Sequence, residues 1–195
     1  MNFHIIPMIC VASLAFLAGC GGSSSSSTDE GAVVVTPPTY AELTQDLTDL
    51  ETKYSGAARA TSVDINTAAN ATYTGAIAGD LGGSGLAGDL TIAADFGANT
   101  ASVTATNFMH ETDGAYAGTL TDTGGVIAPT APGVNTQISA TLTGDLTNGG
   151  NTFASNIGLD GDFVTDGTDP VAGITGTAFG TLGAAIFDGD FAAEK

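Results

Sequence analysis

The sequence predicts an all-β fold: a small antiparallel up-and-down β-barrel of about eight strands with one short N-terminal α-helix. Three features predict it. From about Ala60 onward, apolar residues recur at every second position. Clusters of Gly, Asn, Asp, Ser and Thr punctuate the alternating runs at short intervals. Glycines also fall inside the runs, where the tight coiling of a small barrel needs them. The 195 residues suit one domain with a real core. An apolar fraction of 43% is that of a globular chain, despite a net charge of -18.

In chain order, residues 1–19 read as a signal peptide. Ile5 to Leu17 is apolar and broken by Pro7, too short to span a bilayer comfortably. It ends in Leu17-Ala18-Gly19-Cys20, which resembles the lipobox of bacterial lipoproteins. That resemblance implies cleavage between Gly19 and Cys20, a diacylglycerol thioether on the Cys20 sulfur and an acyl chain on its new amine. Ala18 and Gly19 are small, as the peptidase requires. Cys10 lies in the removed segment, so Cys20 is the lone thiol of the expected mature chain. More than one acyl chain gives stable anchoring.

Residues 20–38 are expected to be the lipidated cysteine and a tether. Gly21 to Ser27 contains only Gly and Ser, a flexible coil, and Pro37-Pro38 stiffens its end. Gly21 in place of Asp after the cysteine implies the outer membrane by the enteric sorting rule.

Residues 39–56 are the helix. Leu43, Leu47, Leu50 and Tyr54 share one face, Thr39 and Glu42 form a capping-box pair, and Gly56 is the stop. Gln45, Asp46, Asp49 and Lys53 occupy the other face. The helix is expected to pack on the main domain or plug one end of it.

Residues 60–195 are expected to be the barrel. "GDLTIAADFG" sets Leu90, Ile92, Ala94 and Phe96 on one face, and "NTASVTATNF" continues with Ala101, Val103 and Ala105. The alternation returns through Ile138, Ala140, Leu142, Gly144 and Leu146, then through Phe153, Ser155, Ile157, Leu159, Gly161 and Phe163. Shorter runs lie at 73–77, 116–120, 174–178 and 185–191. "GGSG", "FGAN", "TDTGG", "TNGG" and "TDGTDP" read as turns, with Asn148-Gly149 the strongest hairpin signal. Closing the meander removes its edges, with an open sandwich of the same strands as the alternative, and an interior of Leu, Ile, Phe and Ala leaves little room for a large ligand.

The runs "GDLTIAADFGANTASVTATNF", "YAGTL" and "ISATLTGD" resemble the small barrel domain of the transferrin-binding protein B family of surface lipoproteins. The ending "AFGTLGAAIFDGDFAAEK" is similar to that family's last hairpin, with a Phe-Gly turn, an Ala-rich link and a basic tail. The likeness spans Thr72 to Lys195 and covers the barrel alone, with no handle domain. It implies a β-barrel that binds a protein or small ligand. It carries over no binding residue, because the matched positions are barrel-building glycines.

Function classes narrow further on charge and chemistry. Lys53, Arg59 and Lys195 are the three Lys and Arg residues against 21 Asp and Glu, so no basic stripe exists to hold nucleic acid. His110 has Gly114 where a zinc protease places its second histidine, and no G-x-S-x-G elbow occurs. No enzyme and no cofactor are therefore expected. Met109, His110 and Glu111 could in principle ligate haem or a metal, but a polar turn is the simpler reading. Asp160, Asp162, Asp166 and Asp169 invite calcium, yet Thr165 and Val171 replace the glycine and glutamate of an EF-hand loop. "GGSGLAGDL" likewise misses the calcium nonapeptide at Ala87. The expectation is a monomeric, non-enzymatic lipoprotein on the outer membrane of a Gram-negative bacterium, displayed at the surface and binding a protein or small ligand such as haem. A periplasm-facing structural lipoprotein and a transmembrane barrel are the alternatives.

Overall fold

The computed structural model describes residues 36–129 and 137–195. The expected signal peptide, Gly19, Cys20 and the tether up to residue 35 lie outside the described residues.

Helix α1 spans Tyr40–Lys53. Its start follows the capping chemistry read from the sequence: the Glu42 backbone N–H donates to the Thr39 hydroxyl at 3.3 Å, and Thr39 N–H donates to the Glu42 carboxylate at 2.7 Å. The helix stops at the Tyr54 cap, two residues ahead of Gly56, whose φ of +73° only glycine adopts freely. A six-residue helical segment, α2 (Ser62–Thr67), follows it. Its own capping box joins Thr61 and Asp64, and it delivers fully buried Ile65 to the core.

The strands are β1 (Ala71–Leu81), β2 (Gly85–Asp95), β3 (Thr100–His110), β4 (Gly114–Gly118), β5 (Leu120–Ile127), β6 (Ile138–Asn148), β7 (Asn151–Val164), β8 (Gly173–Leu182) and β9 (Ala185–Glu194). Both β4 and β5 pair with β3 on one side and β6 on the other, so they form one barrel stave broken at Thr119. Each remaining strand pairs antiparallel with its sequence neighbours, and β1 pairs with β9. The result is a closed, eight-staved up-and-down barrel. Closure leaves no sheet edge to template aggregation.

Two readings of turns are corrected. "TDTGG" lies within β5, because the Asp122 carboxylate stands in for missing ladder partners: it accepts the N–H of Gly124 and of Thr141, each at 2.6 Å. Phe179-Gly180 lies within β8, and the last hairpin turns at residues 183–184 instead. The Asn148-Gly149 signal does mark a hairpin, closed by Gly149 and Gly150 with positive φ between paired Asn148 and Asn151. Asn107, at φ +53°, makes a bulge that the simple alternation misses, shifting the inward set from Ala105 to Phe108 and His110.

The lumen is filled. Phe108, Phe187 and Phe191 occupy its middle with Leu90, Leu142 and Ile157, all at most 1% exposed. Calling the rim that holds the β7–β8 loop basal and the other apical, aromatics close both mouths. Phe163 packs between Tyr73 and Phe96 at the basal mouth, with ring centroids 5.8 and 5.1 Å apart. Tyr116 lies between His110 and Phe153 at the apical mouth, at 5.8 and 5.5 Å. Residue α2 Ile65 joins the same core at the basal end.

Helix α1 packs on the outer wall across β1, β2 and β9. Leu43 and Leu47 cover Ala76, Ala78, Ala87 and Ala192, outward-facing alanines that the helix buries. Small residues there let the helix backbone approach the sheet closely. Leu50 and Tyr54 continue the contact onto Val164 and Ala172.

Candidate functional site: the outer wall

All three lysine and arginine side chains sit at the basal rim, each facing a carboxylate. Lys53 pairs with Glu194, Arg59 with Asp162, and Lys195 with Asp169 at 2.7 Å. The Arg59 pair is only about a quarter exposed on both sides and is reinforced by the Gln137 backbone N–H, which donates to Asp162 at 3.2 Å. Beneath it, fully buried Gln137 donates to the Ala60 carbonyl at 2.7 Å and accepts the Phe163 N–H at 3.2 Å. The loop from α1, the start of β6 and the end of β7 are thereby stitched together.

The four aspartates read as a calcium candidate do not converge. Asp162 is held by Arg59 and Asp169 by Lys195, whose ammonium holds its carboxyl below the usual carboxylate range. Asp166 folds its carboxylate onto the N–H groups of Asp169 and Thr168, which hold it low in the same way. Asp160 stands exposed on the outer face of β7, two residues before Asp162, whose carboxylate is taken by Arg59. Among the described residues, no group of three or more His, Cys, Asp or Glu is placed to hold a metal.

Met109, His110 and Glu111 are likewise dispersed. Met109 packs outward with the α1 cluster, whereas His110 points into the apical mouth and is 7% exposed. The His110 Nδ1 accepts the Asp113 N–H at 3.2 Å and so caps the β3–β4 turn. Glu111 accepts the Gly85 N–H at 3.2 Å.

Elsewhere the outer wall carries Thr, Ser, Asn and Asp. Four large apolar side chains are exposed among the described residues: Val63, Val126, Phe179 and Ile186. Three of them lie on the barrel wall, with exposures of 53%, 63% and 58% for Val126, Phe179 and Ile186. A shallow groove of about 280 Å³ is lined by Asp122, Val126, Ser139, Thr141, Gly158 and Asp160, and Phe179 is the β8 partner of Gly158 at its edge. The register explains its shape. Val126 faces Ser139, which faces Asp160, and Thr141 faces Gly158, which faces Phe179. The small side chains of Ser139, Thr141 and Gly158 beside Val126 leave the depression. Asp188 stands across from Phe179 on the other side, Ile186 lies on the diagonal, and Asp190 faces Thr177 one step along.

Sequence reasoning passed over this surface. The inward set of β8 is Ile174, Gly176, Ala178, Gly180 and Leu182, so Phe179 sits in the solvent register. An aromatic on the polar side of a clean alternation was the available signal.

Comparison with family models, with curated proteins and with solved structures finds no match to the chain.

Proposed function

We propose that the chain is a lipid-anchored, non-enzymatic binding protein of the outer membrane, related to the transferrin-binding barrels, that meets its partner through the outside of the barrel. Anchoring rests on Leu17-Ala18-Gly19-Cys20 and the Gly/Ser run behind it. The binding mode rests on the filled lumen: with aromatics at both mouths, a haem-sized ligand has no room inside, and recognition falls to the wall and rims.

The wall also weighs against insertion in a bilayer. A membrane-spanning barrel presents an apolar outer band and often a polar interior. This barrel has the reverse arrangement, an apolar interior under a Thr- and Asp-rich wall.

The test has two parts. Labelled palmitate is incorporated by the wild-type chain in bacteria and lost in Cys20→Ser. Protease added to intact cells then removes the barrel if it is displayed at the surface. Protection from protease with palmitate retained favours the periplasm-facing alternative, and absence of label overturns the anchor.

A further inference from the structure

We infer that the groove over Ser139, Thr141 and Gly158, with Val126 in its lining and Phe179 next to its Gly158 edge, takes a cationic segment of a partner protein, one that lays arginine or lysine side chains over the carboxylates and an apolar side chain against Phe179. The inference rests on the reading of the barrel as a binding module and names the partner of its wall.

Three observations carry it. Val126 lines a depression of about 280 Å³ and Phe179 stands exposed one strand beyond its Gly158 edge; with Ile186 they are the large apolar side chains exposed on the wall among the described residues. A groove flanked by an exposed aromatic recruits apolar atoms and the flat face of a guanidinium alike. The acids around it match only a cation. Asp160 lies on the floor with Asp122, while Asp188 and Asp190 stand beyond Phe179. Finally, no positive charge of this chain competes there, because Lys53, Arg59 and Lys195 are engaged at the basal rim. A second copy of a chain with net charge -18 meets the same acids with acids of its own.

Calorimetry of the full chain in detergent tests this with three short synthetic peptides. One alternates arginine with leucine, one replaces the arginines by glutamate, and one replaces the leucines by serine. The arginine–leucine peptide binds and the other two do not. Phe179→Thr weakens binding about tenfold, as loss of a central aromatic anchor does. Asp160→Asn weakens it a few-fold, and added salt does the same by screening. Both variants retain the wild-type melting temperature, since the two side chains are exposed.

Equal binding by Phe179→Thr overturns the groove: the peptide is then held by the general negative field, and the barrel remains a binding module without this site. Absence of binding by the arginine–leucine peptide overturns the cationic partner. Self-association that Phe179→Thr relieves would make the occupant a second copy and overturns the inference as well. None of these outcomes touches the palmitate and protease tests of the anchor.

Discussion

Gly79 on β1 stands opposite Gly189 on β9, at the seam where the barrel closes, with no space between the two backbones for a side chain. A Cβ on Gly79 would lie 2.6 Å from the Gly189 Cα, and one on Gly189 would lie 2.5 Å from the Gly79 Cα. Real Cβ atoms do not approach backbone so closely, so either substitution forces the seam apart.

Gly79→Ala and Gly189→Ala are therefore expected to cost about 1–3 kcal/mol, the range for overpacking a tight interior. Urea unfolding followed by circular dichroism measures it. Gly124→Ala is the control: its Cβ would meet only the Asp122 carboxylate at 3.5 Å, and the midpoint should stay within about 0.5 kcal/mol of wild type. Equal effects at all three positions would refute the seam argument.

Gln137 makes the second prediction. Gln137→Leu keeps a similar volume but strands the Phe163 N–H and the Ala60 carbonyl in a buried place. Each unsatisfied group costs about 1–3 kcal/mol, so a total loss of about 2–6 kcal/mol is expected by chemical denaturation. A loss under about 0.5 kcal/mol would mean that water replaces the side chain.

Helix α1 contributes no rung to the barrel ladder, which gives the third prediction. Leu43→Asp places a charge against Ala76, Ala78 and Ala192 and undocks the helix. Limited proteolysis should then cut between residues 40 and 60, while the β-sheet circular dichroism signal persists. Loss of that signal would show that the barrel depends on its helix.

The fourth prediction concerns pH. The Lys195 ammonium and the Val171 N–H hold the Asp169 carboxyl low, so the unfolded chain takes up that proton first as pH falls. The stability Asp169 adds is complete above the usual carboxylate range near about 4 and fades as pH drops below it. The difference in melting temperature between wild type and Asp169→Asn should shrink on acidification. Self-repulsion among the other acids is common to both proteins and cancels in that difference.

Tyr73 acts at the opposite end of the scale. Burial chiefly, and the charge of Asp169 next, push its hydroxyl well above the ordinary tyrosine value, and it donates to the Val171 carbonyl at 2.8 Å. The unfolded chain loses the proton first, so stability is intact below about 10 and falls as pH rises past it. Tyr73→Phe should be about 1 kcal/mol less stable at neutral pH, the worth of one hydrogen bond, yet decline less on alkalinisation. Parallel alkaline curves for the two proteins would contradict this.

Much of this architecture is legible in the sequence because a lumen-facing strand must alternate. Leu90, Ile92, Ala94 and Phe96 do so, and all four are buried inside. The Thr39 and Glu42 pair was equally plain, since a capping box is local chemistry. Helix α2 was not, because six residues are too few to display a helical period, although Thr61 and Asp64 carry the same cap in miniature. The alternation also fails where something covers the wall. Ala76-Ile77-Ala78 and Phe191-Ala192-Ala193 are buried on both faces because α1 lies over their outward alanines. Strand β5 was hidden by "TDTGG", whose turn-like composition is overruled by one carboxylate bonding to two backbone N–H groups. The wall groove depends on which residues fall opposite one another across four staves, and pairing register is set by the whole barrel rather than by any local run.

The seam between β1 and β9 also sets an order of assembly. A chain delivered amino end first makes β1 early, but its second partner is β9, Ala185–Glu194, more than a hundred residues later. Until that strand arrives, every intermediate is an open sheet with two unpaired borders, and such borders pair readily with neighbours. A chain cut short of Ala185 therefore yields a sticky sheet, not a smaller barrel.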